Sequence, residues 1–187
     1  MGTIKTLSTE RLTLRPPRRG DEDALFALHS DAEVMRYFSE PPWTDPERAT
    51  RQVDDDAAAF ERGDFFRFTI VLNETQRMIG NCTLFALHRQ NRRAEIGYAL
   101  QRAHWGKGYM GEALGALLAH AFHDLDLNRL EADIDPRNAA SASLLERLGF
   151  ISEGFLRERW IVGGEVCDSA LYGLLRRDWK PGATLIA

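Results

Sequence analysis

One stretch constrains this chain more than any other: a strand that runs into a glycine-rich turn and then into an amphipathic helix. Ala94-Glu95-Ile96-Gly97-Tyr98-Ala99-Leu100 reads as a strand with a single charge in an otherwise apolar run. Trp105-Gly106-Lys107-Gly108-Tyr109-Met110-Gly111-Glu112 follows. Behind it Leu114, Leu117, Leu118, Ala121, Phe122 and Leu125 recur three and four apart, the spacing of one helix face. Such a face has to be covered, and a sheet of neighbouring strands is the natural cover.

The flanking pattern supplies those strands. Arg11 to Arg15 alternates polar and apolar residues and stops at Pro16-Pro17, as an edge strand does. Helices are expected after Gly20, where Asp21, Glu22 and Asp23 suit a positive helix start, near Ala32 to Phe38, and from Thr44 or Asp45 to about Arg62. Phe65 to Leu72 and Met78 to Leu87 flank a polar turn as a hairpin. Arg129 to Ile134 reads as a strand, and Asn138 opens a helix closed by Gly149. Phe150 to Val162 and Val166 to Leu175 flank Gly163-Gly164 as a second hairpin. The 187 residues suffice for one core, so a single α/β (α+β) domain over 1–187 is expected. Its sheet is mixed, mostly antiparallel and twisted, with about seven strands flanked by helices.

Composition excludes several partners. With 24 basic and 28 acidic residues the net charge is −4, so no broad cationic surface offers itself to nucleic acid or to an anionic membrane. The first 19 residues lack an apolar leader core, and no apolar run is long enough to span a bilayer. A loose myristoylation match at Met1 to Thr6 carries no weight. Cys82 and Cys167 read as buried free thiols of a reducing, cytoplasmic setting, without a neighbouring histidine that would make either a nucleophile. His88, His104, His120 and His123 lack a second ligand set, so no metal is expected.

The glycine-rich turn admits two readings. Gly106, Gly108 and Gly111 let consecutive amides point at a phosphate oxygen with a helix dipole behind them and Lys107 beside them, yet many strand-to-helix turns need glycine for geometry alone. The segment lacks the Lys-Ser/Thr ending of a P-loop and the acidic residue of a dinucleotide fold, which disfavours a nucleoside triphosphate and NAD.

The same segment resembles the acyl-CoA loop of the GNAT N-acetyltransferase superfamily, Gln/Arg-x-x-Gly-x-Gly/Ala after a central strand. Trp105 stands at the first position, Gly108 at the first glycine and Met110, a departure, at the last small residue. Trp105, Thr9 to Arg15, Ala94 to Tyr98, Asn138 to Ser141, Leu148-Gly149-Phe150, Gly154 to Arg157, Asp168, Tyr172 and Trp179 fall in the order of the RimJ/RimL branch, which acetylates ribosomal-protein N-termini. The resemblance spans nearly the whole chain and implies a single-domain GNAT fold.

It also implies roles. The backbone near Ala99 and Leu100 would pair with the pantetheine arm of acetyl-CoA, and Trp105, Gly106, Lys107, Gly108, Tyr109, Met110 and Gly111 would hold its pyrophosphate, the side chains of Tyr109 and Met110 packing in the core. Asn138 would bond the pantetheine or cap its helix, and Ser141, one turn on, would protonate the departing thiolate or simply solvate the helix. Many members place a tyrosine four residues after that serine; Leu145 occupies the place here. Glu95 would accept the proton of the amine, because direct transfer needs a neutral nucleophile; its alternative is an exposed carboxylate paired with Arg92 or Arg93. Tyr37, Trp43 and Trp160 fall in stretches that wall the acceptor channel of similar enzymes, or plug the core. The expected acceptor is a protein N-terminal amine, with a small amine or a non-catalytic acyl-CoA-binding module as alternatives, in a monomer or homodimer.

Overall fold

The computed structural model describes residues 6–180, so the myristoylation match and the first residues of the N-terminal reading lie outside the described residues. Strands β1 (Leu7–Ser8), β2 (Leu12–Arg15), β3 (Phe66–Leu72), β4 (Arg77–His88), β5 (Arg93–Leu100), β6 (Arg129–Ile134), β7 (Ile151–Val162) and β8 (Glu165–Leu175) form one sheet in the order β1-β2-β3-β4-β5-β6-β8-β7. Every neighbouring pair is antiparallel except β5 and β6. The eighth strand is β1, two residues too short to show a period. It pairs outside β2, which is therefore not the edge strand that its sequence suggests.

Helices α4 (Tyr109–Ala119) and α5 (Ala139–Arg147) cover one face of the sheet, and α1 (Glu22–Ser30) and α3 (Glu47–Arg62) cover part of the other. The apolar stripe of α4 is fully buried at Leu114, Leu117, Leu118, Ala121 and Phe122, against Leu84 and Leu130 of the sheet among others. A π-helical segment, His120–Asp124, extends it. Helix α2 is only Ala32–Met35, shorter than the stretch to Phe38 that its sequence suggests. One turn buries Val34 and Met35, and the chain then leaves the helix to bring Trp43 back, whose N–H donates to the His29 carbonyl at 2.9 Å. No helix among the described residues is long and apolar enough to cross a membrane. Cys82 and Cys167 are both buried free thiols.

Between α1 and the sheet lies a buried imidazole. His29 stacks on Trp43 with ring centroids 4.5 Å apart, and its Nε2 sits 3.2 Å from the Asn81 amide nitrogen. Burial, with the nearby Arg67 charge, pushes its pKa down to about 4. Above pH 6.5 the ring is neutral in folded and unfolded chains alike, so stability is complete there. As the pH falls from 6.5 to 4, the unfolded chain takes up a proton that the folded chain refuses, and stability drops by about 3 kcal/mol. Denaturant midpoints between pH 7 and pH 4 are expected to fall more steeply for the wild type than for His29→Gln; parallel slopes would exclude this assignment.

Candidate active site

The parallel pair β5–β6 holds together only from Arg93 opposite Arg129 to Glu95 opposite Glu131. Beyond it β5 follows β4 as far as Leu100 while β6 follows β8 to Ile134, and a wedge-shaped slot opens between them. Main-chain direction within β5 is set by parity. The Gln101 N–H donates to the Ile79 carbonyl of β4, and the Gly97 carbonyl accepts from the side-chain hydroxyl of Thr83 on β4, so odd residues face β4; the Arg92 carbonyl accepts from the Asn128 and Arg129 N–H groups, so even residues face β6. The amides of Tyr98 and Leu100 thus point into the slot. Ala99 pairs with Asn81 of β4 and turns its main chain away from the slot. The Leu100 carbonyl is occupied by the Trp105 indole, whose Nε1 donates to it at 2.7 Å.

At the mouth of the slot a 3-10 turn, Arg102–His104, leads into the glycine turn. Gly106 and Gly108 have φ of 71° and 77°, a left-handed backbone that favours glycine. The first intrahelical bond of α4 runs from Glu112 N–H to the Gly108 carbonyl, which leaves the amides of Tyr109, Met110 and Gly111 directed out of the helix start. Met110 is buried in the core and Tyr109 partly so, hence their side chains pack while their amides remain presented. The exposed Lys107 ammonium donates to the Ala103 carbonyl at 2.8 Å. Arg11 ties the turn to the first strands. Its guanidinium donates to the Lys107 carbonyl at 3.0 Å and to Glu112 at 2.6 Å, and lies over the Tyr109 ring. No local pattern announces that contact.

The far wall of the slot is α5. Asn138 caps it, its Oδ1 accepting from the Ser141 N–H at 3.1 Å, while its Nδ2 makes no hydrogen bond among the described residues and remains available to a ligand. Ser141 is buried, and its Oγ lies 2.6 Å from the Tyr98 hydroxyl across the slot. Burial pushes the Tyr98 phenol up to about 12, so it stays protonated at neutral pH. A tyrosine therefore reaches Ser141 from β5. Leu145, four residues after Ser141, is fully buried in the core.

Glu95 lies on the other face. Ala94, Ile96, Tyr98 and Leu100 point toward α4 and α5, while Glu95, Gly97 and Ala99 point oppositely. Arg92 pairs with Asp126 at 2.9 Å and Arg93 with Glu131 at 2.7 Å, and Glu95 makes no ion pair or hydrogen bond among the described residues. Partial burial, then the charges of Glu131 and Asp133 on β6, raise its pKa above the ordinary glutamate value. Of the aromatic residues, Trp43 is a buried core plug, Trp160 is half exposed and donates to the Ser169 hydroxyl, and Tyr37 carries the guanidiniums of Arg36 and Arg137. Among the described residues no three His, Cys, Asp or Glu side chains converge as metal ligands.

The acetyltransferase (GNAT) domain family matches residues 11–151, which include the slot, the glycine turn and Ser141. The chain belongs to the GNAT acetyltransferase family. Among curated proteins this GNAT chain is 40% identical over 176 residues to the uncharacterised N-acetyltransferase p20 of Bacillus licheniformis, covering 94% of this chain and 99% of that one. It is 31% identical over 123 residues to the ribosomal protein uS5-alanine N-acetyltransferase of Escherichia coli, 65% of this chain and 63% of that one. A GNAT-family acetyltransferase from Bacillus anthracis superposes with a TM-score of 0.83 at 26% identity, covering 92% of this chain and 99% of that one. The protein is thus an N-acetyltransferase on a GNAT fold.

Tyr98 did not stand out in the sequence because its partner lies 43 residues away. Its worth is measurable. Tyr98→Phe keeps the ring and leaves the buried Ser141 hydroxyl without its partner, so the folded state is expected to lose about 1–2 kcal/mol and kcat to fall about tenfold. In Ser141→Ala the same change is expected to cost nothing further. Additive losses in the double variant would show that the two hydroxyls act apart.

Proposed function

We propose that this GNAT enzyme takes acetyl-CoA as its acyl donor and passes the acetyl group directly to a primary amine, the α-amine of a protein N-terminus. The observation that carries the reading is the division of labour across the slot: the joined Ser141 and Tyr98 hydroxyls on one face, an unpaired Glu95 of raised pKa on the other. The Tyr98 and Leu100 amides align the pantetheine arm, and Asn138 Nδ2 bonds it from α5. The amides of Tyr109 to Gly111 take the pyrophosphate at the helix start, with Trp105, Gly106, Lys107 and Gly108 shaping the turn. Glu95 removes one proton from the ammonium, directly or through water, and the amine nitrogen then bonds to the thioester carbonyl carbon. As the carbon–sulfur bond breaks, Ser141 passes a proton to the sulfur. The amine nitrogen releases its second proton to water, and the Ser141–Tyr98 hydroxyl pair takes one back from water, so the serine ends neutral and the products are the amide and the free thiol.

The likeness to an enzyme named for a ribosomal-protein alanine supports a protein N-terminus as acceptor. The discriminating experiment offers acetyl-CoA together with a panel of N-terminal peptides, free amino acids, polyamines and amine antibiotics, and reads acetylation by mass. Turnover of peptides is expected. Turnover confined to small amines would overturn the acceptor assignment, and acetyl-CoA binding without turnover of any amine would overturn the enzymatic role of Glu95 and Ser141.

A further inference from the structure

Lys107, the cation inside the glycine turn, is drawn aside: its ammonium donates back to the Ala103 carbonyl at 2.8 Å. A second cation reaches the turn from far along the chain. Arg11, just ahead of β2, lies against the first turn of α4 with its guanidinium 4.6 Å from the Tyr109 ring centroid. An arginine suits this place, because a planar guanidinium can stack on a ring and still donate in several directions.

Each nitrogen of that group has its own task. Nε donates to Glu112 Oε2 at 2.6 Å, and Nη1 donates to the Lys107 carbonyl at 3.0 Å. Glu112 is held in turn through its other oxygen, by the Thr9 hydroxyl at 2.6 Å and the Arg11 main-chain N–H at 2.8 Å. Two anchors and a ring thus fix the guanidinium plane. The third nitrogen, Nη2, makes no hydrogen bond or ion pair among the described residues. It stands beside Gly108, where an added β-carbon would meet it at 3.4 Å. Gly108 is the N-cap of α4, directly ahead of the outward amides of Tyr109, Met110 and Gly111. The Arg11 side chain keeps 43% of its surface in solvent, so its open edge is accessible.

Charge gives the arrangement a purpose beyond bracing. Glu112 places a carboxylate in the first turn of α4, where it suits the helix dipole but repels an anion that seeks the same amides. Arg11 cancels that charge and turns its remaining N–H groups outward, as charge-assisted donors. Bracing alone needs no such open edge, since the Thr9 hydroxyl and the Arg11 main chain already tie Glu112 to the first strands.

We propose that Arg11 is a further acetyl-CoA-binding residue: its Nη2 donates to the diphosphate beside the α4 amides, while the Lys107 carbonyl and the Tyr109 ring keep the guanidinium in place. This rests on acetyl-CoA as the acyl donor. It makes the segment ahead of β2, 101 residues from Glu112, part of the donor site.

Calorimetry on the full chain tests this. Arg11→Gln is expected to raise the Kd for acetyl-CoA about 30-fold, as loss of one charge-assisted hydrogen bond to a phosphate does. Arg11→Lys is expected to raise it about tenfold, because an ammonium restores the charge without the planar geometry. S-acetylpantetheine, which carries no phosphate, is expected to bind both variants as it binds the wild type. Glu112→Gln breaks the same ion pair from the other side and leaves Nη2 in place, so its Kd for acetyl-CoA is expected to stay within about threefold. Equal losses in Arg11→Gln and Glu112→Gln would reduce the contact to a structural clasp and overturn the proposal. An Arg11→Gln protein that binds acetyl-CoA as the wild type does, or whose loss extends to S-acetylpantetheine, has the same force. Acetyl-CoA without its 3′-phosphate separates the two sources of phosphate: the Arg11→Gln loss is expected to persist, and its disappearance would refute the diphosphate contact in favour of the 3′-phosphate. A wild type that binds no acetyl-CoA would instead remove the donor reading itself, an outcome distinct from any loss confined to Arg11.

Discussion

Glu95→Gln is expected to lower kcat for amine acetylation by about 10²- to 10⁴-fold, the range general-base catalysis contributes. The substitution keeps the size and hydrogen-bonding reach of the side chain and removes only its ability to hold a proton. Because Glu95 faces away from α4 and α5, the amides and the Asn138 side chain assigned to the donor are untouched, so acetyl-CoA affinity is expected to stay within about threefold. The pH profile gives an independent reading. Burial together with Glu131 and Asp133 raises the Glu95 pKa above its ordinary value of 4.5, and the carboxylate, not the acid, is the working form. Activity of the wild type should therefore rise with pH through that raised value, and this acid limb should be missing from Glu95→Gln. A variant with wild-type kcat, or one that keeps the same acid limb, would assign the base to another group or to solvent.

The parts of this site that were legible in the sequence are those whose cause is local. Strand β5, the glycine turn and α4 announce themselves through a change of period and through two positions that need left-handed backbone. Asn138 as a helix cap was legible for the same reason, since its partner, the Ser141 amide, is three residues on. What escaped depends on which strands meet. Ala99 and Tyr98 are adjacent, and only the pairing of β5 with β4 on one side and β6 on the other decides which of them turns its amides to the slot. The Tyr98–Ser141 contact and the Arg11–Glu112 clasp, 101 residues apart, arise from the same long-range packing. Glu95 shows the limit most clearly. Its spacing allowed a pair with Arg92 or Arg93, and it is the parallel neighbour β6 and the loop ahead of it that draw those arginines to Glu131 and Asp126 instead.

Gly108→Val is expected to raise the Kd for acetyl-CoA about 100-fold, measured by calorimetry on a folded protein. The N-cap of α4 sits at φ 77°, and a β-branched residue there costs roughly 1–3 kcal/mol, which the chain relieves by rotating the peptide. Space is not the obstacle, since an added β-carbon meets only the Arg11 guanidinium, at 3.4 Å. The consequence is directional. Rotating that peptide swings the amides at the start of α4 off the pyrophosphate, and losing one or two charge-assisted hydrogen bonds of about 1.5–3 kcal/mol accounts for a hundredfold effect. Gly115→Ala separates this from a general disturbance of α4, because Gly115 lies in the helix with nothing within 4 Å of an added β-carbon. That variant is expected to gain up to about 1 kcal/mol of stability and to bind as the wild type does. If Gly108→Val unfolds at the wild-type temperature and still binds acetyl-CoA within threefold, the amides of Tyr109 to Gly111 are not the diphosphate site, and the slot between β5 and β6 must hold the donor by its pantetheine arm alone.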